Sequence, residues 1–140
     1  MQVQQREIGY FLRLERGEKV LESLLKLIHL HQIQSGTVIS GVGAVRNARL
    51  GFYHLSRKAY EEKLVAAECE LVNLSGNISW LKDKPVVHCH VTLGTDNFQA
   101  LAGHLFDAEV AITAEILVEV SAKRMERAFD ETMGLNLLSL

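Results

Sequence analysis

Residues 86–93 read Val-Val-His-Cys-His-Val-Thr-Leu, and their alternation decides how the chain is to be folded. Successive side chains of a strand point to opposite faces. Val87, Cys89, Val91 and Leu93 then form one apolar face, while Val86, His88, His90 and Thr92 take the other. The run is rich in valine, which favours strand over helix. A strand with one oily face needs a core on that side and leaves its two imidazoles side by side on the other.

Working outward, Ala111 to Val120 is a second valine- and isoleucine-rich strand, with Ile112, Ala114, Ile116 and Val118 on one face and Glu115 and Glu119 on the opposite one. Thr37 to Ser40, bounded by Gly41 and Gly43, also reads as strand, as do Ala48 to Phe52 and Lys63 to Asn73. Ser75-Gly76-Asn77 and Lys82-Asp83-Lys84 carry turn chemistry. One strong helix is predicted from about Glu18 to Ile33, where Leu21, Leu24, Leu25 and Ile28 recur at helical spacing. Ser35-Gly36 is its expected stop. Near the end, Met125, Phe129 and Met133 suggest a short helix before a final strand, Leu135 to Leu140. The expected architecture is α+β: a curled, mostly antiparallel sheet packed against one main helix.

The chain has 140 residues, enough for one domain with its own core, and no repeat or linker divides it. Residues 1–140 are therefore expected to form one domain. A formal charge of -2, with fifteen scattered Lys and Arg, argues against a basic stripe for nucleic acid. Lys123, Arg124 and Arg127 are interleaved with Glu126 and followed by Asp130 and Glu131, which reads as a solvated mixed-charge face. The start, Met-Gln-Val-Gln-Gln-Arg-Glu, lacks the apolar segment of a secretory signal. No run approaches the roughly 18 apolar residues of a spanning helix. Cys69 and Cys89 form no close-spaced pair, so two free thiols in a reducing cytoplasm are expected.

The chemistry concentrates at His88 and His90. Their Cα atoms lie about 6.5–7 Å apart on one strand face. Such a pair converges on an ion held about 2.0–2.1 Å from each nitrogen, although it also describes polar histidines on the wet side of a strand. His104 decides between these readings. A chain reversal near Asp96-Asn97 brings Leu101-Ala102-Gly103-His104-Leu105 back beside His90, and Gly103 permits close backbone approach. Three neutral histidines with an open fourth position suit zinc or a similar divalent ion.

Several stretches carry a family resemblance. Glu70 to Ile78, then Val87-His88-Cys89-His90-Val91-Thr92-Leu93-Gly94, then Gly103-His104-Leu105, resemble the prokaryotic PPC (plants and prokaryotes conserved) domain. So do Arg13 to Glu18, Gly41-Val42-Gly43-Ala44-Val45 and the tail Phe129 to Leu135. The resemblance implies a homotrimer and a divalent metal at His88, His90 and His104. Ala102 stands where the family usually has a glycine, and Glu68-Cys69 where plant members have Arg-Phe.

Members of that family are often labelled predicted DNA-binding proteins. The plant AT-hook that contacts DNA has no counterpart here, since the only proline lies in Lys84-Pro85-Val86. DNA binding is thus an alternative to metal binding. A metal-dependent enzyme on a small substrate is a third reading, with Glu70 and Glu115 as candidate bases, Glu115 reading more simply as a solvent-facing strand carboxylate. Gly41 to Gly43 with Arg46 form either an anion-holding turn or, more simply, a structural one. Trp80 is expected at an exposed turn, available to another subunit or an unidentified partner.

Overall fold

The apolar side of residues 86–93 is buried as its alternation requires: Cys89, Val91 and Leu93 are 0–3% exposed. A computed structural model describes residues 1–140, with the order β1 (Gln2–Arg6), β2 (Gly9–Glu15), α1 (Val20–His31), β3 (Ser35–His54), β4 (Ala59–Val65), β5 (Cys69–Leu81), β6 (Lys84–Gly94), β7 (Ala100–Ser121), β8 (Glu126–Asp130) and β9 (Leu135–Ser139). All nine strands belong to one sheet, and every pairing is antiparallel except a single parallel contact between Trp80 and Glu126.

The sheet curls until it meets itself. Strand β3 pairs with β5 on one side and β7 on the other, and β6 pairs with both β5 and β7. These four strands therefore close a ring. The 20 residues of β3 would run about 66 Å if straight. Four register shifts between Val38 and Leu50 bend it instead, because each bulge adds an unpaired residue and increases the local twist.

Inside the curl lie Val38, Leu74, Ile78, Cys89, Leu93, Leu105, Val110, Ile116 and Val118, among others. Helix α1 contributes Val20, Leu24, Leu27 and Ile28 from one face, at the spacing that brings residues of successive turns together. Its N-cap residue, Lys19, makes no side-chain capping bond. Asp107 of β7 substitutes: its Oδ1 accepts the Leu21 amide at 3.1 Å, placing a carboxylate at the positive end of the helix dipole.

Four local expectations are corrected. The helix ends at Gln32, which adopts φ 51 and donates its amide to the Ile28 carbonyl, and Ser35-Gly36 already belongs to β3. The run from Lys63 to Asn73 is broken between β4 and β5. The helix expected around Met125, Phe129 and Met133 is absent. Residues 126–130 instead pair with 135–139 as a hairpin, closed by Asp130, whose carboxylate accepts the Met133 amide, and by Gly134 at φ 70. Phe129 is 63% exposed, so no core face exists to favour a helix over the hairpin. Ser75-Gly76-Asn77 is not a turn but the middle of β5.

Trp80 is also in β5 rather than an exposed turn. Its ring packs partly against the core and under the Arg124 guanidinium, 4.4 Å from the ring centre.

Gly76 is the tightest point of that strand. A Cβ there would run into the carbonyl of His88 and the backbone of Cys89. Gly76→Ala is expected to cost about 1–3 kcal/mol by overpacking and to loosen β6 from β5. Denaturant unfolding of the purified variant measures this; an unchanged midpoint would refute the crowding.

Candidate metal centre

The closing pairs of the ring create the site. His90 lies directly across from His104 between β6 and β7, and His88 follows two residues along β6 on the same face. The turn at residues 95–99, where Thr95 donates its hydroxyl to the Gln99 carbonyl, reverses the chain between the two strands. Close approach is real on the β3 side: a Cβ on Gly103 would meet the Gly51 carbonyl at 2.9 Å. Ala102 is exposed, paired with Thr92, and lines the pocket beside His90 and His104.

The three histidines each offer one ring nitrogen, and these atoms all lie within 4.8 Å of one another. The His88 and His104 rings stack at 29° with centroids 5.1 Å apart, while His90 stands nearly perpendicular to both. Tyr60 and Phe106 back His104 at 5.0 and 4.9 Å. Nδ1 of His104 is buried and has no hydrogen-bond partner in the protein. A buried polar atom left without a partner calls for a ligand or an ion.

Electrostatics favour the neutral form of His88 and His104. Burial, aided by the nearby His104, Arg127 and His90, pushes the His88 pKa down to about 4. Burial is also the first cause of the lowered His104 value, with His90 and Arg127 adding to it. Neutral imidazole is the form that ligates a metal.

A pocket of about 300 Å³ opens on the β5 side of the histidines, lined among others by His88, His104, Tyr60 and Arg127; a second, of about 390 Å³, opens beside His90 and Gly103. Arg127 was read from the sequence only as part of a mixed-charge surface. Instead it reaches over β5, where its Nε and Nη2 donate to Ser79 Oγ and Asn77 Oδ1 at 2.8 and 2.9 Å. Asn77 faces His88 across the strand pair. A tail arginine reaching three strands away leaves no spacing signal.

The remaining candidates lie elsewhere. Glu70 is exposed, paired with Gly94 and Ala44 at the far end of β5, and lines neither pocket at the histidines. Glu115 is exposed between Arg13 and Val42. Gly41 and Gly43 are strand residues, not a turn. A Cβ at Gly43 would strike the Thr113 carbonyl, and Arg46 is held by Glu109 at 2.5 Å. Neither the anion-holding turn nor the structural turn is present: the segment is part of β3, paired to β5 and β7.

Comparison with known proteins places this geometry among relatives. A sequence profile of the Plants and Prokaryotes Conserved (PCC) domain matches residues 1–121. Among solved structures, a metal-containing protein of Archaeoglobus fulgidus shares 36% identity, with full coverage of both chains and a TM-score of 0.86. A candidate DNA-binding protein of Ralstonia eutropha JMP134 shares 31% identity over 99% of this chain and 95% of its own, at a TM-score of 0.90. A plant- and prokaryote-conserved (PPC) protein of Pyrococcus horikoshii shares 28% identity over 99% and 94%, at 0.87. A comparison with curated proteins returns no match.

The depressed His88 value has a consequence for stability. An unfolded histidine titrates near 6.5, whereas His88 in the fold holds out to about 4. Between those values the unfolded chain binds a proton that the folded one refuses. Stability is therefore complete above about pH 6.5 and falls as the pH drops toward 4. Calorimetry on metal-free protein should show the melting temperature falling through this window. The fall should be shallower in His88→Asn; parallel curves would contradict the assignment.

Proposed function

The chain belongs to the Plants and Prokaryotes Conserved domain family, and on that footing we propose that it binds one divalent metal ion, zinc by its donor set, through His88, His90 and His104, and works as a homotrimer. The observation that carries the reading is the gathering of one ring nitrogen from each of the three histidines within 4.8 Å, beside a His104 whose buried Nδ1 has no partner. Three neutral nitrogen donors with a free fourth position match a zinc site of the open kind. A relative of 36% identity is itself a metal-containing protein. When bound, such an ion supplies a Lewis acid whose open position takes water or a ligand anion. No Asp or Glu lines either pocket beside the histidines, so we read the site as one that binds rather than one that uses a carboxylate base.

Trimer formation fits the exposed apolar strand surface. Val72, Phe98 and Ile112 are each more than half exposed, yet line one groove with Ala44, the kind of surface that another subunit covers.

The DNA-binding name of the Ralstonia eutropha relative supports the alternative. Against it stand the charge of -2 and the engagement of Arg13, Arg46, Arg49, Arg57 and Arg124 with carboxylates of the chain itself. A DNA surface needs cations free to meet phosphates. No helix is long and apolar enough to cross a membrane.

Metal analysis of tag-free protein should find one zinc per chain after zinc addition and dialysis, with His88→Ala and His104→Ala each losing it. Wild type that takes up no divalent ion would end the reading. Light scattering should give three times 15.7 kDa, about 47 kDa; a monomer mass would remove the trimer. Retention of duplex DNA at 50 mM salt is expected to be absent, and salt-sensitive retention would favour the alternative.

A further inference from the structure

The pocket on the β5 side of the histidines contains a charge that nothing in the chain neutralises. Arg127 lies beyond the 121 residues that the family profile matches. Its guanidinium is pinned at three corners: to Ser79 Oγ, to Asn77 Oδ1, and to the Asn136 carbonyl at 2.8 Å. All three partners are neutral, and Arg127 takes part in none of the ion pairs of the molecule. Arginine carries five N–H donors, so two remain, one on each terminal nitrogen. Arg127 is half-buried, and that burial lowers its pKa despite the opposing influence of Tyr60.

A partly buried cation with spare donors costs free energy unless an anion meets it. The rest of the pocket says which anion. Leu81, Val86, Val87, Leu135 and Leu137 line it, giving an apolar wall opposite the guanidinium. The volume of about 300 Å³ lies at the small end of ligand pockets. One guanidinium among leucines and valines suits a singly charged head on an apolar body. A doubly charged phosphate would set its second charge against leucines and valines that offer it no donor.

We infer that this pocket is a subsite for a small monocarboxylic acid, its carboxylate held by Arg127 beside the histidine site and its hydrocarbon body lying against Leu81, Val86, Leu135 and Leu137. One carboxylate oxygen meets Arg127. The other is left toward His88 and His104, which line the same pocket; there it could take the open position of an ion held by the three histidines, and this second contact alone rests on the metal reading.

Hexanoate is a suitable probe, followed by saturation-transfer NMR and calorimetry on metal-stripped and zinc-loaded protein, with hexanol and inorganic phosphate as comparators. Wild type should bind hexanoate saturably in both states, at least tenfold tighter with zinc. Arg127→Met should weaken binding at least tenfold in both states while the zinc content stays at one per chain. Because Arg127 also pins β8 to β5, Leu137→Asp provides an independent test. Leu137 is 39% exposed on a short edge strand, and a carboxylate there should repel the probe by a similar factor without disturbing the fold. The inference is overturned by no saturable binding in either state, by hexanol or phosphate binding as tightly as hexanoate, or by either folded variant binding like wild type. A protein that takes up no zinc sinks the metal reading only, since the metal-stripped measurements still decide the Arg127 subsite.

Discussion

The pairing of β6 with both β5 and β7 is the constraint on which the rest of the molecule depends. Without it, β3, β5 and β7 would be an open sheet with a long apolar edge, and the core would lack its fourth wall. With it, Cys89, Val91 and Leu93 seal the interior, and the same backbone turns His88 and His90 outward. Register does the remaining work. A slip by one residue on β6 would send the histidines into the core and the valines into water. The burial of Leu93 and Val91 thus fixes where the imidazoles point, and the His90–His104 cross-strand pair follows from the same registration. Core and site are two faces of a single decision.

The close approaches follow from that closure. Gly76 of β5 lies against the carbonyl of His88, and Gly103 of β7 against the carbonyl of Gly51. Each sits beside a histidine of the cluster. Small residues at these points let three strands crowd together tightly enough for ring nitrogens from β6 and β7 to gather within 4.8 Å. A larger side chain at Gly76 would push β6 away from β5, and one at Gly103 would push β7 away from β3, shifting the strands that carry the ligands.

The cluster was legible in the sequence because its information is local. A period of two sets the His88–His90 geometry, and one short reversal carries His104 to its partner. The family resemblance rests on the same segments. What could not be read depends on contacts between distant residues. The bulges of β3 arise from fitting one long strand against β5 and β7 at once. The hairpin of β8 and β9 looked helical from Met125, Phe129 and Met133, whose spacing of four suits a helix; yet Phe129 has no core to enter, and pairing of 126–130 with 135–139 prevails. Trp80 looked like a turn residue because Ser75-Gly76-Asn77 resembles turn chemistry, whereas Gly76 is there for close packing inside a strand.

Arg127 was misread for the same reason. Its neighbours in sequence, Glu126 and Asp130, suggest an exposed mixed-charge face; Arg124, not Arg127, takes Glu126 at 2.7 Å. Strand alternation then turns Arg127 inward over Ser79 and Asn77, toward the histidines. That placement bears on the metal reading itself. A divalent ion at the cluster would border the pocket of this guanidinium, which shares His88 and His104 with it, and none of the residues lining that pocket carries a negative charge. Two cationic centres in a partly desolvated space repel each other, and the penalty grows as water is excluded. Neutral histidines cannot offset it, and the pinned arginine cannot swing away without giving up three hydrogen bonds. The pocket of Arg127 thus holds a positive charge without an acidic neighbour, and if an ion is bound at the histidines, an anion entering beside both would offset their repulsion.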